Sequence, residues 1–541
     1  MVFMATGITN KWSVTLGYFL IGDSMTASER GNLLTIAVEK VNSTGAVVVN
    51  TVCDGPNVHF NMLGKMGAQL NGENVSSKLN IKNNLGKSIV CFLDSPHNIK
   101  SIRNCFGDKK VILNREGQHI KWDHISELHN IQEKEGLHLA NKLKKKHLDY
   151  KRNIMSVPNA VQTLSESVAT SIRFCDEALD LENFRDSKAT AEFIQNMNDD
   201  FDFLNSSTLF GKGLKAALTE QNFQSIDLQV KTLAEFIKGL TLENGQPLIK
   251  GQRKNGFIGM LVNMDAVRFI FQEYVLENHM RYIMTRKLQQ DKLEHLFGCI
   301  RACSGGNNNP STTEFQTAYK RLLLGAVNRA YGGNCEWLTD LTFVTTSVEA
   351  SNMLEKEYDL SHDEFSVITE GLKSESEFKI NCLTYIAGYV TQKLIHKEQC
   401  VHCLGILKNY KVRSTSIFLE MKNRGRLCRP PSDVLEVVRL SNSVFEAEAM
   451  KSTVPADRPD FMKVLINKVA RALLEKSPSI FQEMDYHLDS CSWDNSHKLM
   501  MIKKITSIFV TMRLKHWCRQ FNTSQASVRK VLTKQILFKH Q

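Results

Sequence analysis

Proline is scarce in this chain, with 10 among 541 residues, and no apolar run approaches the roughly 18 residues needed to cross a bilayer. Together with 42% hydrophobic and 23% charged residues, this composition gives no case for widespread disorder and leaves an ordinary globular protein. No internal repeat or low-complexity tract is present, which excludes a solenoid or propeller. A glycine-rich phosphate loop ending in Gly-Lys-Ser/Thr is also absent, so sequence physics alone proposes no nucleotide site. The 13 cysteines follow no regular framework. The first residues show no basic-then-apolar-then-small pattern, and the expectation is reduced thiols in a cytosolic or nuclear protein.

What is present is length and a basic surplus. At 541 residues the chain exceeds a single core, and two or three structural units are expected. Its net charge of +11 favours a polyanionic partner such as DNA or RNA without identifying one. Basic density peaks at Lys142-Leu-Lys-Lys-Lys-His147 and again from Arg529 to Lys539, each of which reads equally as a solvated helix face.

The first hundred residues alternate strand-like and helical runs, the pattern of a mixed α/β layer. Strands are expected at Val14 to Ile21, Ala46 to Cys53 and Ser88 to Leu93; helices at Glu29 to Val41, Val58 to Gly67 and Pro96 to Phe106. Two of the buried strands end in aspartates, Asp54 and Asp94. From about Asp123 to Lys287 strand signals vanish and helical periodicity takes over, including Leu137 to Leu148 and Val161 to Leu179. Val267 to Phe297 reads as one long helix, stopped by the breaker cluster Cys303 to Pro310. Beyond Phe315 the chain is again mostly helical, with Asn381 to Leu394 apolar and Pro430-Pro431 a segment boundary.

Carboxylates at the ends of adjacent buried strands lie on the rim of a sheet, where their oxygens can converge on a hard divalent cation. Asp54 is the best placed, although a strand-end aspartate also serves as a turn former or helix cap. Asp291 and Glu294, three apart, share one helix face, which is equally the pattern of a solvated face. Lys100 and Arg103, on the helix after Asp94, either meet phosphate or pack and cap. Cys400-Val-His-Cys403 is half a zinc site, with His396 and Cys382 nearby and His487 and Cys491 farther off; buried inert thiols are the competing reading.

Four ordered motifs change the weight of these features: Cys53-Asp54-Gly55-Pro56-Asn57, Asp94-Ser-Pro-His97-Asn-Ile-Lys100-Ser-Ile-Arg103-Asn104, Gln290-Asp291-Lys-Leu-Glu294-His-Leu-Phe-Gly-Cys-Ile-Arg301, and Gly305-Gly306-Asn-Asn-Asn-Pro310. In order and spacing they resemble the P-element transposase family, which includes the THAP-domain transposases of animals. The likeness runs from Val2 to at least Leu324 and more faintly to about Phe521. It implies an α/β RNase-H-like transposase core interrupted by a mainly α-helical GTP-binding insertion domain, then a helical C-terminal region. The boundaries expected are 1–122 and 287–330 for the core, 123–286 for the insertion and 331–541 for the C-terminal region.

By motif position Asp54 resembles the second catalytic and metal-holding acid and Glu294 the third, acting with Mg2+ or Mn2+. In the insertion, Met155 to Ser165 and Phe201 to Ser206 resemble the segments that cradle GTP. The resemblance implies that Asp202 meets the guanine edge, with Asn205, Ser165 and Val157 nearby and Asp291 reaching the nucleotide or its metal. Ser156 and Pro158 stand where the family carries basic residues. Implied partners are transposon-end and target DNA and, by self-association, other transposase subunits, in the nucleus.

In the family the first catalytic Asp lies on a strand ahead of the one that Met1 to Ile8 resembles, and a THAP zinc finger and coiled coil lie farther upstream. The expectation is therefore an N-terminally truncated core, silent in cutting and joining DNA because one metal-holding acid is absent and Asp23 is misplaced to replace it. The alternative reading is a catalytically silent DNA- or transposase-binding protein that keeps the GTP-binding unit.

Overall fold

The computed structural model describes residues 1–10, 12–21, 25–303, 307, 309–329, 375–409, 412–450, 461–477, 479–485 and 496–516. Asp23, Gly305, Gly306, His487, Cys491 and the basic tail from Arg529 lie outside them. By internal contacts the chain forms two compact units, the first from Met1–His129, Lys142–Arg173 and Glu182–Glu349, the second from Asn130–Asn141, Phe174–Leu181 and Ala350–Gln541. Among the described residues no helix is long and apolar enough to cross a membrane.

The first unit begins with an antiparallel hairpin of β1 (Val2–Thr6) and β2 (Ser13–Tyr18). Helix α1 (Ala27–Asn42) follows, opened by a reciprocal capping box in which Thr26 accepts from the Glu29 amide and Glu29 accepts from the Thr26 amide. Then come β3 (Asn50–Cys53), α2 (Asn57–Lys65), β4 (Lys78–Lys82), β5 (Ser88–Leu93) and α3 (Ser95–Lys109). Strands β3, β5 and β4 form one sheet in that order, β3 parallel and β4 antiparallel to β5. Ile89 to Leu93 are fully buried, as the central strand of a covered sheet must be.

The coverage comes from far along the sequence. After β6 (Val111–Leu113), β7 (His119–Lys121) and the helices α4 (Asp123–Glu135), α5 (Lys145–Leu148), α6 (Val157–Thr163), α7 (Glu166–Arg173), α8 (Lys188–Leu204) and α9 (Phe223–Lys238), helix α10 (Asn255–Ile270) packs against β5 and α3. Its Ile258 and Val262 share a core with Met62, Leu63, Leu79, Cys91 and Leu93. Asn263 of α10 accepts from the Leu93 amide at 2.7 Å and donates to the Leu93 carbonyl and the Ser95 hydroxyl, satisfying the buried end of β5. At Gly259 a Cβ would sit 2.4 Å from the Asn98 side chain, so only glycine permits this approach of α10 to α3.

Several expected elements are corrected. The single helix over Val267 to Phe297 is two helices: α10 ends at Ile270, a π-turn spans Phe271–Val275, and α11 begins only at Asp291. Between them the backbone is tied sideways, Ile283 pairing with Leu218 and the Arg286 amide donating to Ser206. Apolar periodicity could not reveal that break, because the connecting residues Met280, Ile283 and Leu288 are themselves buried. The run Leu137 to Leu148 is helical only at Lys145–Leu148, and Val161 to Leu179 is interrupted at Leu164-Ser165. Strand β4 and the short pair β6–β7 had no strand signal: Lys-Leu-Asn-Ile-Lys of β4 buries Leu79 alone, too short an alternation to stand out.

The hairpin β1–β2 and the sheet β3–β5–β4 are separate, and a cavity of about 670 Å³ lies between them. Phe3 and Ala5 of β1, Val49 and Thr51 of the β3 segment, and Leu34 and Leu293 line it. Neither β1 nor β2 carries a carboxylate.

The second unit is helical. Glu377–Lys397 packs against Ile417–Lys422 and Ser432–Met450, and the latter against Phe461–Lys476. Pro430-Pro431 does mark a boundary, immediately before the helix that starts at Ser432. Its interior holds charge as well as apolar side chains: Lys468 and Glu448, both nearly buried, pair at 2.8 Å.

Candidate functional site

Strands β3 and β5 are parallel with Cys53 opposite Leu93, so the next residue of each, Asp54 and Asp94, leaves the sheet at the same level. The Asp94 amide donates to the Cys53 carbonyl at 3.0 Å, which holds the two strand ends together. Asp94 is also the N-cap of α3, accepting from the His97 amide at 3.2 Å. That turn brings the His97 imidazole back over the strand ends. Its Nδ1 lies 2.7 Å from Asp54 Oδ1 and its Nε2 3.2 Å from Glu294 Oε1 of α11. Asp54, Asp94, His97 and Glu294 thus offer ligand atoms all within 4.8 Å of one another.

The segment before α11 completes the arrangement. The Gln290 side chain donates to Asp54, and the Gln290 amide reaches Asp94 Oδ1 at 3.5 Å. One residue earlier, the Gln289 side chain donates to the Leu204 carbonyl at the end of α8. Both expected metal-holding acids, Asp54 and Glu294, are therefore brought together across 240 residues. Asp94, which the sequence reading left unassigned, joins them; so do His97 and Gln290. The signal for Asp94 was masked because Asp-Ser-Pro-His reads fully as a helix start, and here the capping carboxylate also lies in the cluster.

The electrostatics follow from partial burial of like charges. Burial, reinforced by the charges of Asp54 and Glu294, pushes the Asp94 carboxyl up to about 6. Burial also works against ionisation of Asp54, but the hydrogen bond and charge of His97 and the Gln290 hydrogen bond outweigh it and hold Asp54 below the usual carboxylate range. For His97, burial disfavours the cation, yet the Asp54 contact raises its affinity for a proton overall. The imidazole between Asp54 and Glu294 occupies the place a cation would take. Lys100 is buried with Glu294, Asp54 and Asp94 as its charged neighbours, and burial lowers its basicity. Arg103 faces elsewhere: fully buried, it donates to Asn104 and to the carbonyls of Asn153 and Ile154, a packing role rather than a phosphate contact.

The expected nucleotide residues are placed around α8. Asp202 pairs with Lys215 at 3.1 Å and accepts from Asn198 at 2.9 Å. Asn198 in turn accepts from the Glu166 amide, which links Asp202 to the start of α7 beside Ser165. The Ser165 hydroxyl donates to Gln162; Val157 begins α6; Asn205 closes α8. Burial raises the Asp202 carboxyl against the opposing pull of Lys215 and Asn198. Asp291, at the start of α11, pairs with Arg286 at 2.9 Å. Asp200, two residues from Asp202, is fully buried with both oxygens lacking a hydrogen-bond partner, and burial pushes it up to about 8.

Sequence comparison supplies the family. Residues 1–67 match the model described as TNP-like, RNase H N-terminal domain, and residues 287–320 match TNP-like, RNase H C-terminal domain. Asp54 lies in the first match and Glu294 in the second. Residues 96–217 match TNP-like, GTP-binding insertion domain, and residues 374–519 match DNA transposase THAP9, C-terminal domain. The chain is a P-element-type, THAP-transposase-like protein. It is 25% identical over 543 residues to the DNA transposase THAP9 of Homo sapiens, covering 95% of this chain and 59% of that protein. It is 25% identical over 370 residues to the transposable element P transposase of Drosophila melanogaster, covering 66% of this chain and 46% of that one. This transposase-like chain thus spans about half to three-fifths of the length of these curated relatives. In fold it is similar to the Drosophila P element transposase strand transfer complex, with a TM-score of 0.51 and 22% identity over 60% of this chain and 69% of that chain.

Proposed function

We propose that this chain is a P-element-like transposase polypeptide whose acid cluster holds a divalent metal ion and whose partner is DNA. The observation that carries the proposal is the convergence of Asp54, Asp94 and Glu294 at the ends of two parallel strands and one helix. An all-oxygen set of three carboxylates fits a hard cation such as Mg2+ or Mn2+. Bound there, such an ion supplies Lewis-acid activation of an attacking oxygen and neutralises the leaving one in phosphodiester displacement. The chain's own residues do the rest: Gln290 orients Asp54, Asp94 aligns α3, and Lys100 places positive charge beside the acids.

We assign 1–122 and 287–330 to the RNase-H-like core, 123–286 to a GTP-binding insertion and 331–541 to the C-terminal region. In the insertion Asp202 is the acceptor for the guanine edge, with Asn205, Ser165 and Val157 around it and Asp291 toward the nucleotide's metal. The carboxylate suits paired N–H donors in kind, and Lys215 must release it. DNA, self-association and a nuclear location belong to the same reading.

A second reading concerns activity. His97 bridges Asp54 and Glu294 through both ring nitrogens, and β1 and β2 bring no carboxylate to the cluster. These observations favour a polypeptide that binds DNA and metal but neither cuts nor joins strands by itself. Incubation of the purified chain with Mn2+ and transposon-end DNA tests it. Metal-dependent nicking abolished by Asp54→Asn would overturn silence and support the enzyme; absence of Mn2+ binding altogether would overturn the metal reading. For the nucleotide, titration calorimetry with GTP should show binding lost in Asp202→Ala; equal affinity removes that assignment.

A further inference from the structure

The Cys400-x-x-Cys403 pair, for which sequence spacing offered no convincing second half, acquires one in the fold. His497, 94 residues beyond Cys403, places Nδ1 3.2 Å from Cys403 Sγ. The two sulfurs and the imidazole nitrogen all lie within 4.8 Å of one another. Neither His396 nor Cys382 belongs to this group. In tetrahedral zinc sites, bonds of about 2.0–2.3 Å set neighbouring ligand atoms about 3.4–3.8 Å apart, so the three atoms are already near metal-binding spacing.

The surroundings hold them there. Cys400 immediately precedes the helix Val401–Asn409, and Cys403 is on its first turn. The Glu398 carboxylate accepts from the amides of Gln399 and Cys400, each at 3.2 Å. Its other oxygen pairs at 2.9 Å with Lys504, two turns along the same helix (497–516) that carries His497. The Glu398 side chain is only 5% exposed, so this latch is a built feature and not a surface pair. It fixes the backbone of one ligand against the helix of another, which is the work of outer-shell groups in metal sites.

We propose that Cys400, Cys403 and His497 bind a zinc ion, with the fourth tetrahedral position left to water or another donor, clamping the helix Val401–Asn409 to the helix 497–516. Two thiolates and an imidazole select zinc over magnesium or manganese. Burial first, then the neighbouring Cys400, pushes the Cys403 thiol up to about 12. Zinc binding therefore releases protons and joins parts of the chain that are far apart in sequence.

Elemental analysis of the full chain, purified without chelator and reloaded with zinc chloride, is expected to give one zinc per chain. Cobalt(II) in its place is expected to show the intense visible bands of a tetrahedral site and a near-ultraviolet thiolate-to-metal band. Cys400→Ser, at the half-buried ligand, and His497→Gln should each lower zinc affinity at least tenfold in competition with a chromophoric chelator, with circular dichroism confirming the fold. Asp54→Asn should leave zinc affinity unchanged. Wild-type chain without stoichiometric zinc and without a tetrahedral cobalt spectrum would overturn the site, whatever the variants do; so would folded variants with wild-type affinity.

Discussion

The acid cluster at the β3–β5 edge and the thiol cluster between two C-terminal helices meet the same requirement, close approach of groups that repel when ionised, with opposite chemistry. The first uses three carboxylates, two of them, Asp54 and Glu294, bridged by His97, with Glu294 more than half exposed. It suits an ion that must stay open to substrate oxygens. The second uses sulfur and nitrogen, with Cys403 and His497 buried and no carboxylate among the ligands. It suits an ion whose work is to hold helices. On the two proposed readings, exposure and donor softness together separate a reaction centre from a clamp.

The largest expected effect is on the clamp. Stripping metal with a strong zinc chelator should lower the melting temperature by about 5–10 °C, corresponding to about 2–3 kcal/mol lost from a unit of this size. Withdrawing Mg2+ should leave it unchanged. Scanning calorimetry with the two treatments separates them; equal responses would erase the contrast.

At the acid cluster, Asp54→Asn should weaken Mn2+ binding by at least about tenfold without changing the melting temperature of the metal-free chain by more than a few degrees. Paramagnetic relaxation of water protons by Mn2+ reads the affinity. A wild-type value in the variant would move the ion off Asp54.

Asn263→Ala tests whether the rim of the sheet depends on α10. It leaves the Leu93 amide buried without its side-chain acceptor and the Leu93 carbonyl with the Asn98 side chain as donor, and the expected cost is about 1–3 kcal/mol in urea unfolding. Loss of Mn2+ affinity in the same variant, with zinc retained, would show that α10 positions the acids.

The smallest effect concerns acid sensitivity of the first unit. His147 is fully buried, and burial lowers its affinity for a proton despite its contacts with Gln162 and Lys144. Unfolding frees it to take a proton, so its contribution is fully present above the unfolded value near 6.5 and is lost as pH falls through that value toward the depressed one. The urea midpoint of wild type should fall between pH 7.5 and pH 5.5 slightly more than that of His147→Gln. Parallel curves would remove His147 from the account.

Much of the first hundred residues was legible. Ser88 to Leu93 is a run of buried β-formers with no alternative use, and its strand matches residue for residue. The aspartates at Asp54 and Asp94 were visible as strand ends, because each interrupts a run of apolar β-formers, although Asp94 itself is buried. What failed was partition of long apolar stretches: Val267, Ile270, Phe271, Met280, Ile283 and Leu288 are buried alike in helix, turn and extended backbone, so their apolar character carries no break signal. His97 stood in the second motif without a role of its own, because a histidine on the first turn of a helix has many bland uses.

Local chemistry along the chain determined by itself where strands end in carboxylates, where Asp94 starts a helix, and that Cys400 and Cys403 sit one turn apart. These depend on neighbours within a few residues. Which distant group completes each cluster was decided by tertiary structure alone. Glu294 reaches Asp54 across 240 residues through His97, and His497 reaches Cys403 across 94. No spacing rule encodes those distances, because they are set by how intervening helices pack and not by the backbone between the ligands.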